Sequence, residues 1–99
     1  KISDENSELF AFFKIPEGRK VSLVQVHGIA STANACRVYN YNYTTGQRST
    51  AAPNYEFDIN QLYDITDISS GVTNDMILEV APASSNDVIF GATLYLLNA

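Results

Sequence analysis

Ala35-Cys36-Arg37-Val38-Tyr39-Asn40-Tyr41-Asn42-Tyr43, followed at once by Thr44-Thr45-Gly46-Gln47, is the stretch that decides the fold class. Cys36, Val38, Asn40 and Asn42 fall on one parity and Arg37, Tyr39, Tyr41 and Tyr43 on the other. A period of two is the signature of a β-strand, whose successive side chains point to opposite faces. The Thr-Thr-Gly-Gln that follows is turn chemistry, so the strand ends in a reversal.

Working outward, the same grammar recurs. Upstream, Leu9 to Ile15 reads as a first strand closed by Pro16-Glu17-Gly18, where proline presets φ and glycine accepts a positive φ. Lys20 to Gly28 carries apolar residues on both parities near its start and reads as a central strand; Ala30 to Asn34 is a small, polar connector. Downstream, Arg48 to Asn54 is polar and Pro53 argues against a central ladder position, so it reads as a long loop. Tyr55, Phe57 and Ile59 alternate with polar residues and predict a short half-buried strand, while Leu62 to Ile68 suits either a loop with one helical turn or a strand. Met76 to Ala81 alternates again and stops at Pro82. Ser84-Ser85-Asn86-Asp87 predicts a turn before the last strand, Val88 to Leu97, in which Gly91 suggests a bulge or a close approach. Turn signals about every ten residues and no helical period predict an all-β chain: a two-sheet antiparallel β-sandwich, jelly-roll-like, of about six to eight strands.

The chain has 99 residues, of which 45% are apolar and 17% charged, so one sandwich domain spanning 1–99 is expected, with a polar N-terminal segment at 1–8. Lys1 to Glu8 contains no apolar h-region and does not read as a signal peptide; starting at Lys1 rather than Met, the sequence reads as one from which an upstream piece was removed. Eleven acidic against six basic residues leave a net charge of -5, with only Arg19 and Lys20 adjacent among the cations, which argues against nucleic acid as a partner. No apolar run approaches the ~20 residues of a membrane-spanning helix. The single cysteine, Cys36, forms no internal disulfide and leaves the redox compartment open.

Catalytic signals are weak. His27 has no cysteine at metal-ligand spacing, Cys36 on the Val38 face reads as a small buried hydrophobe, and no nucleophile elbow or phosphate-binding loop occurs. No catalytic residue is assigned. Asp58, Asp64, Asp67, Asp75 and Asp87 fall at or beside strand ends, and Asp64 with Asp67 is the best pair for a hard cation such as calcium, although no EF-hand spacing supports it. The most pointed feature is the row Tyr39, Tyr41, Tyr43, with Phe10 and Phe12 on the first strand. Such a row offers either a platform for sugar rings or rings that pack between the sheets or into a neighbouring subunit. Apolar residues on both parities of Leu9 to Ile15, Val21 to Val26 and Val88 to Leu97 favour the second, because they imply faces covered by further subunits.

Ile15-Pro16-Glu17-Gly18 with Lys20-Val21-Ser22-Leu23-Val24-Gln25-Val26-His27-Gly28, then Val38-Tyr39, Thr44-Thr45-Gly46, Asp64-Ile65-Thr66-Asp67 and Ser85-Asn86-Asp87-Val88-Ile89-Phe90-Gly91-Ala92-Thr93, resembles the small β-sandwich modules of tailed-phage virions. That resemblance implies a non-enzymatic head-decoration or fibre-associated protein of an extracellular particle, a homo-oligomer docking on the major capsid or another virion protein. A shorter stretch, Tyr63 to Ile68 with Gly71, Asn74 and Met76 to Val80, is similar to galactose-binding-like carbohydrate-binding modules and implies a glycan partner. Those modules often place a tryptophan in the sugar site, and this chain has none.

Overall fold

A computed structural model describes residues 8–29, 33–51, 56–81 and 87–99. The expected two-sheet antiparallel sandwich is what forms. Its seven strands are β1 (Leu9–Phe13), β2 (Arg19–Ile29), β3 (Cys36–Asn42), β4 (Gln47–Thr50), β5 (Tyr63–Ser69), β6 (Asn74–Val80) and β7 (Val88–Asn98). Four make a sheet in the order β1-β6-β3-β4 and three a sheet in the order β5-β2-β7. The predicted turn at Ser84–Asn86, Pro82, Pro53, Tyr55, the start of the connector after Gly28 and all of the N-terminal segment but Glu8 lie outside the described residues.

Each sheet turns one parity inward. In the four-stranded sheet, Leu78 of β6 pairs with Val38 of β3 and Ala11 of β1, and Val80 pairs with Cys36 and Leu9. In the three-stranded sheet, Val21, Val24 and Val26 of β2 are completely enclosed. Valines at 21 and 24 cannot share a face of a regular strand, yet they do so here. The register with both neighbours shifts between Val21 and Leu23: against β7 the extra residue is Ser22, a β-bulge that reverses the parity, while against β5 the extra residues lie on β5 between Asp64 and Ile68. Apolar residues on both parities of β2 are therefore a bulge inside one chain, and Leu23 is left as the outward apolar residue. A second shift, between His27 and Gly28, leaves Phe90 of β7 as the extra residue beside Gly91, where the sequence suggests a bulge.

Two segments depart from expectation. The polar run after Gly46 supplies the edge strand β4, because Gln47 to Thr50 pairs with Asn42 to Tyr39 before Pro53 is reached. The run predicted as a strand around Phe57 and Ile59 crosses between the sheets instead. Phe57 exchanges both backbone hydrogen bonds with Cys36 at 3.0 Å, and three residues later the Asn60 amide donates to the Val26 carbonyl. A segment that bonds first to one sheet and then to the other cannot run along either. Asn60, with φ 70°, also accepts from the Gly28 amide through Oδ1 and donates through Nδ2 to the Gly28 carbonyl. Leu62 to Ile68, ambiguous in sequence, belongs to β5, whose Thr66 amide donates to the Ala51 carbonyl.

One flank of the sandwich is thus laced by backbone hydrogen bonds. Among the described residues the opposite flank is not: β1 and β7 end their sheets there, and between them runs a groove of about 270 Å³ lined by apolar residues, among them Leu9, Ala11, Val80, Ile89 and Ala92.

Gly28 lies where the chains approach closely, and a Cβ there would fall inside contact distance of the Val88 carbonyl oxygen and crowd the Ile89 side chain. Gly28→Ala is expected to lower stability by about 2 kcal/mol, a typical cost of overpacking a closed site; Gly46→Ala, where no atom lies within 4 Å, loses only the ease of its positive φ and should cost about half as much in a urea titration.

Candidate functional site

Residues paired across antiparallel strands share a face, so register alone builds the outer surface of the four-stranded sheet. Phe10 of β1, Glu79 of β6 and Arg37 of β3 form one rung; Phe12, Ile77 and Tyr39 form the next, with Thr50 of β4; Asp75, Tyr41 and Arg48 form a third. All five aromatic residues singled out in the sequence, Phe10, Phe12, Tyr39, Tyr41 and Tyr43, therefore belong to one side of the molecule.

Their environments differ. Phe10 and Phe12 are 49% and 62% exposed and Tyr43 is 45% exposed, whereas Tyr39 is buried. Arg48 covers the Tyr39 ring at 4.3 Å from its centroid, and the Tyr39 hydroxyl donates to Glu79 Oε1 at 3.0 Å. Phe12 meets Tyr41 edge to face with centroids 6.2 Å apart, and Tyr41 meets Tyr43 likewise at 5.8 Å. Lys14 Nζ sits 5.4 Å from the Tyr43 centroid. The rings form a herringbone rather than a coplanar shelf.

Beneath them lies a polar knot that the sequence does not announce. Glu79 points outward from β6 and is nevertheless only 3% exposed. Arg37 Nη1 contacts its Oε2 at 3.4 Å, while Arg37 Nε and Nη2 donate to Glu56 Oε2 at 3.0 and 2.6 Å. A hydrogen bond with Glu79 and the charge of that carboxylate hold the Glu8 carboxyl above its ordinary range. Ile77, also outward-facing, is 4% exposed. The outer face is in effect a thin second core with an aromatic skin. Asp75 keeps its Oδ1 enclosed without a hydrogen-bond partner among the described residues, and its carboxylate pushes the Tyr43 phenol above the usual range by hydrogen bonding first and by burial and charge second.

The remaining sequence candidates are dispersed. His27 faces outward from β2 in the other sheet, where Nε2 lies 2.7 Å from Thr93 Oγ1. Cys36 points into the core, and burial, aided by the charge of Asp58, pushes its thiol up to about 12. Asp64 and Asp67 are both exposed on β5, and Asp67 pairs with Lys20 at 3.0 Å. Among the described residues no three His, Cys, Asp or Glu side chains gather as metal ligands would. A polar cleft of about 350 Å³ without a carboxylate opens beside β4, lined by Asn40, Asn42, Thr45, Gln47, Ser49 and Asn74 together with Arg48. No helix among the described residues is long and apolar enough to cross a membrane. No family model, curated protein or solved structure matches the chain.

Glu79→Ala should cost about 1–3 kcal/mol, because it removes the carboxylate that accepts from the buried Tyr39 hydroxyl while Arg37 keeps Glu56, whereas Tyr39→Phe should cost about 1 kcal/mol by chemical denaturation. Cys36 ionises near 9.0 when unfolded and near 12 when folded, so its contribution to stability is complete below pH 9 and is lost as the pH rises from there. The urea midpoint should fall between pH 8 and 10 more steeply in the natural protein than in Cys36→Ala, and the folded thiol should resist alkylation at pH 8.

Proposed function

We propose that this domain is a non-enzymatic structural protein of a phage virion, of the capsid-decorating or fibre-associated kind, which assembles through its apolar and aromatic surfaces. The observation that carries the assembly reading is the outer face of the four-stranded sheet: Phe10 and Phe12 stand exposed over a rigid layer of Tyr39, Ile77 and Glu79. Aromatic side chains held by their neighbours lose little entropy on docking, which makes them effective interface anchors. Arg37 and Arg48 are engaged within the chain by Glu56, Glu79 and the Tyr39 ring. Phe10 and Phe12 are therefore the groups whose water-accessible area a partner would remove. The virion setting comes from the resemblance of the strand and turn sequences; the partner is the major capsid protein or another protein of the particle. A net charge of -5 opposes indiscriminate aggregation before docking.

A glycan-binding module is the second reading, favoured by the adjoining rings of Tyr41 and Tyr43 and, on the opposite face of β3, by the amide-lined cleft of Asn40 and Asn42. Amide and hydroxyl groups without a carboxylate suit a neutral polyhydroxylated ligand. Tyr39 is covered by Arg48 and is not available for stacking.

Purified particles from the source should contain the chain in many copies. Phe10→Ser/Phe12→Ser, which changes exposed positions only, should leave the urea midpoint nearly unchanged while weakening attachment to stripped particles by at least about 30-fold, the effect of losing one strong anchor. Absence from the particle, or attachment indifferent to both phenylalanines, overturns the reading. Saturable binding to a glycan array that is lost in Tyr41→Ala moves the assignment to the second reading.

A further inference from the structure

The unlaced flank carries an inference that rests on the assembly reading and adds to it a specific contact. β7 is an eleven-residue strand, Val88–Asn98, that among the described residues pairs with β2 alone and has no strand neighbour on its other side. Open edges of that length are hazardous, and proteins usually blunt them with charge, proline or a covering loop. β7 contains neither a charged residue nor a proline. Its own bulge, at Phe90, sits near one end; the other register shift of the pair falls between Tyr95 and Leu96, where the extra residue is Ser22 of β2 rather than a residue of β7. On the outer face Tyr95 and Leu97 are 40% and 49% exposed, and Phe90 at the bulge is 69% exposed. On the inner side the same edge forms one lip of the apolar groove.

The edge suits a second copy of the chain. Two copies each bearing a net charge of -5 repel, and that repulsion is least where the contact itself brings no like charges together. The edge of β7 meets that condition, and β1 across the groove is equally free of charge. A strand pairing with its own copy in the antiparallel sense generates a closed two-fold contact, the commonest form of homo-oligomer. Complete overlap of Val88–Asn98 with itself is centred on Thr93, which places Gly91 opposite the partner's Tyr95, a small residue against a large one. We propose that two copies of this chain join edge to edge through β7, extending the three-stranded sheet into a continuous six-stranded sheet across a two-fold axis near Thr93. The new ladder satisfies the open backbone groups of β7, and the grooves meet across the axis. The aromatic face of the four-stranded sheet stays free in both copies to dock on the particle.

Thr93 is exposed and near the axis, so like charges placed there oppose each other and unlike charges attract. Sedimentation of the whole chain should give twice the 10.9 kDa mass at high concentration. Thr93→Lys and Thr93→Glu should each be folded monomers, with association weakened at least about tenfold, and an equimolar mixture should recover the dimer. Recovery cannot arise from misfolding, which a mixture does not repair. Amide exchange in β7 should be slow in the dimer and fast in either variant alone. A natural chain that stays monomeric, or a dimer that persists in both variants, overturns the β7 contact. The assembly reading falls separately, on the Phe10 and Phe12 attachment experiment, so either can fail without the other.

Discussion

The structure depends on one contact: the valine row of β2 closing over the inward residues of β6. Val21, Val24 and Val26 on one side and Met76, Leu78 and Val80 on the other form the centre of the core, and none is more than 6% exposed. At roughly 1.5–3 kcal/mol per buried aliphatic side chain, this seam outweighs any ion pair on the surface. It holds only because Ser22 is looped out. A regular β2 would turn Val21 away from the core that Val24 and Val26 enter, and one residue of slip reverses a strand's whole apolar set.

From that seam the two flanks diverge. On the β4 and β5 flank, Phe57 bonds to one sheet, Asn60 to the other, and Thr66 to Ala51. Phe57 then stacks on Tyr63 with centroids 4.7 Å apart. On the β1 and β7 flank, edge strands face solvent across an apolar groove. The sealed side, the open side and the aromatic outer face are the surfaces on which the proposed assembly rests. The buried, high-pKa thiol of Cys36 and the outward His27 occupy different sheets.

Burial of Glu79 on an outward position is the least expected feature and explains why the aromatic face is stiff. Its carboxylate receives the Tyr39 hydroxyl and Arg37, and Arg37 in turn holds Glu56. Removing water from such a group is costly, so it is tolerated only when its oxygens are occupied. That requirement fixes the tilt of Tyr39 and the position of Arg37, and with them the layer over which Phe10 and Phe12 stand.

By itself the sequence determined the class of fold, because a period of two and turn residues at short intervals are local signals: Arg37 to Tyr43 alternates, and Pro16 to Gly18 turns with Gly18 at φ 78°. It also determined that Tyr39, Tyr41 and Tyr43 share one parity and Phe10 and Phe12 another strand's single parity, and that Cys36 is a core residue; that those parities face outward was decided by the strand register. Tertiary structure alone decided the strand order, the bulge that reconciles Val21 with Val24, and the crossing path of Phe57 to Asn60. It also decided which flank stays open and that Glu79 is dry. Each of these depends on which residue a partner strand presents opposite, a long-range fact that alternation along one strand does not carry.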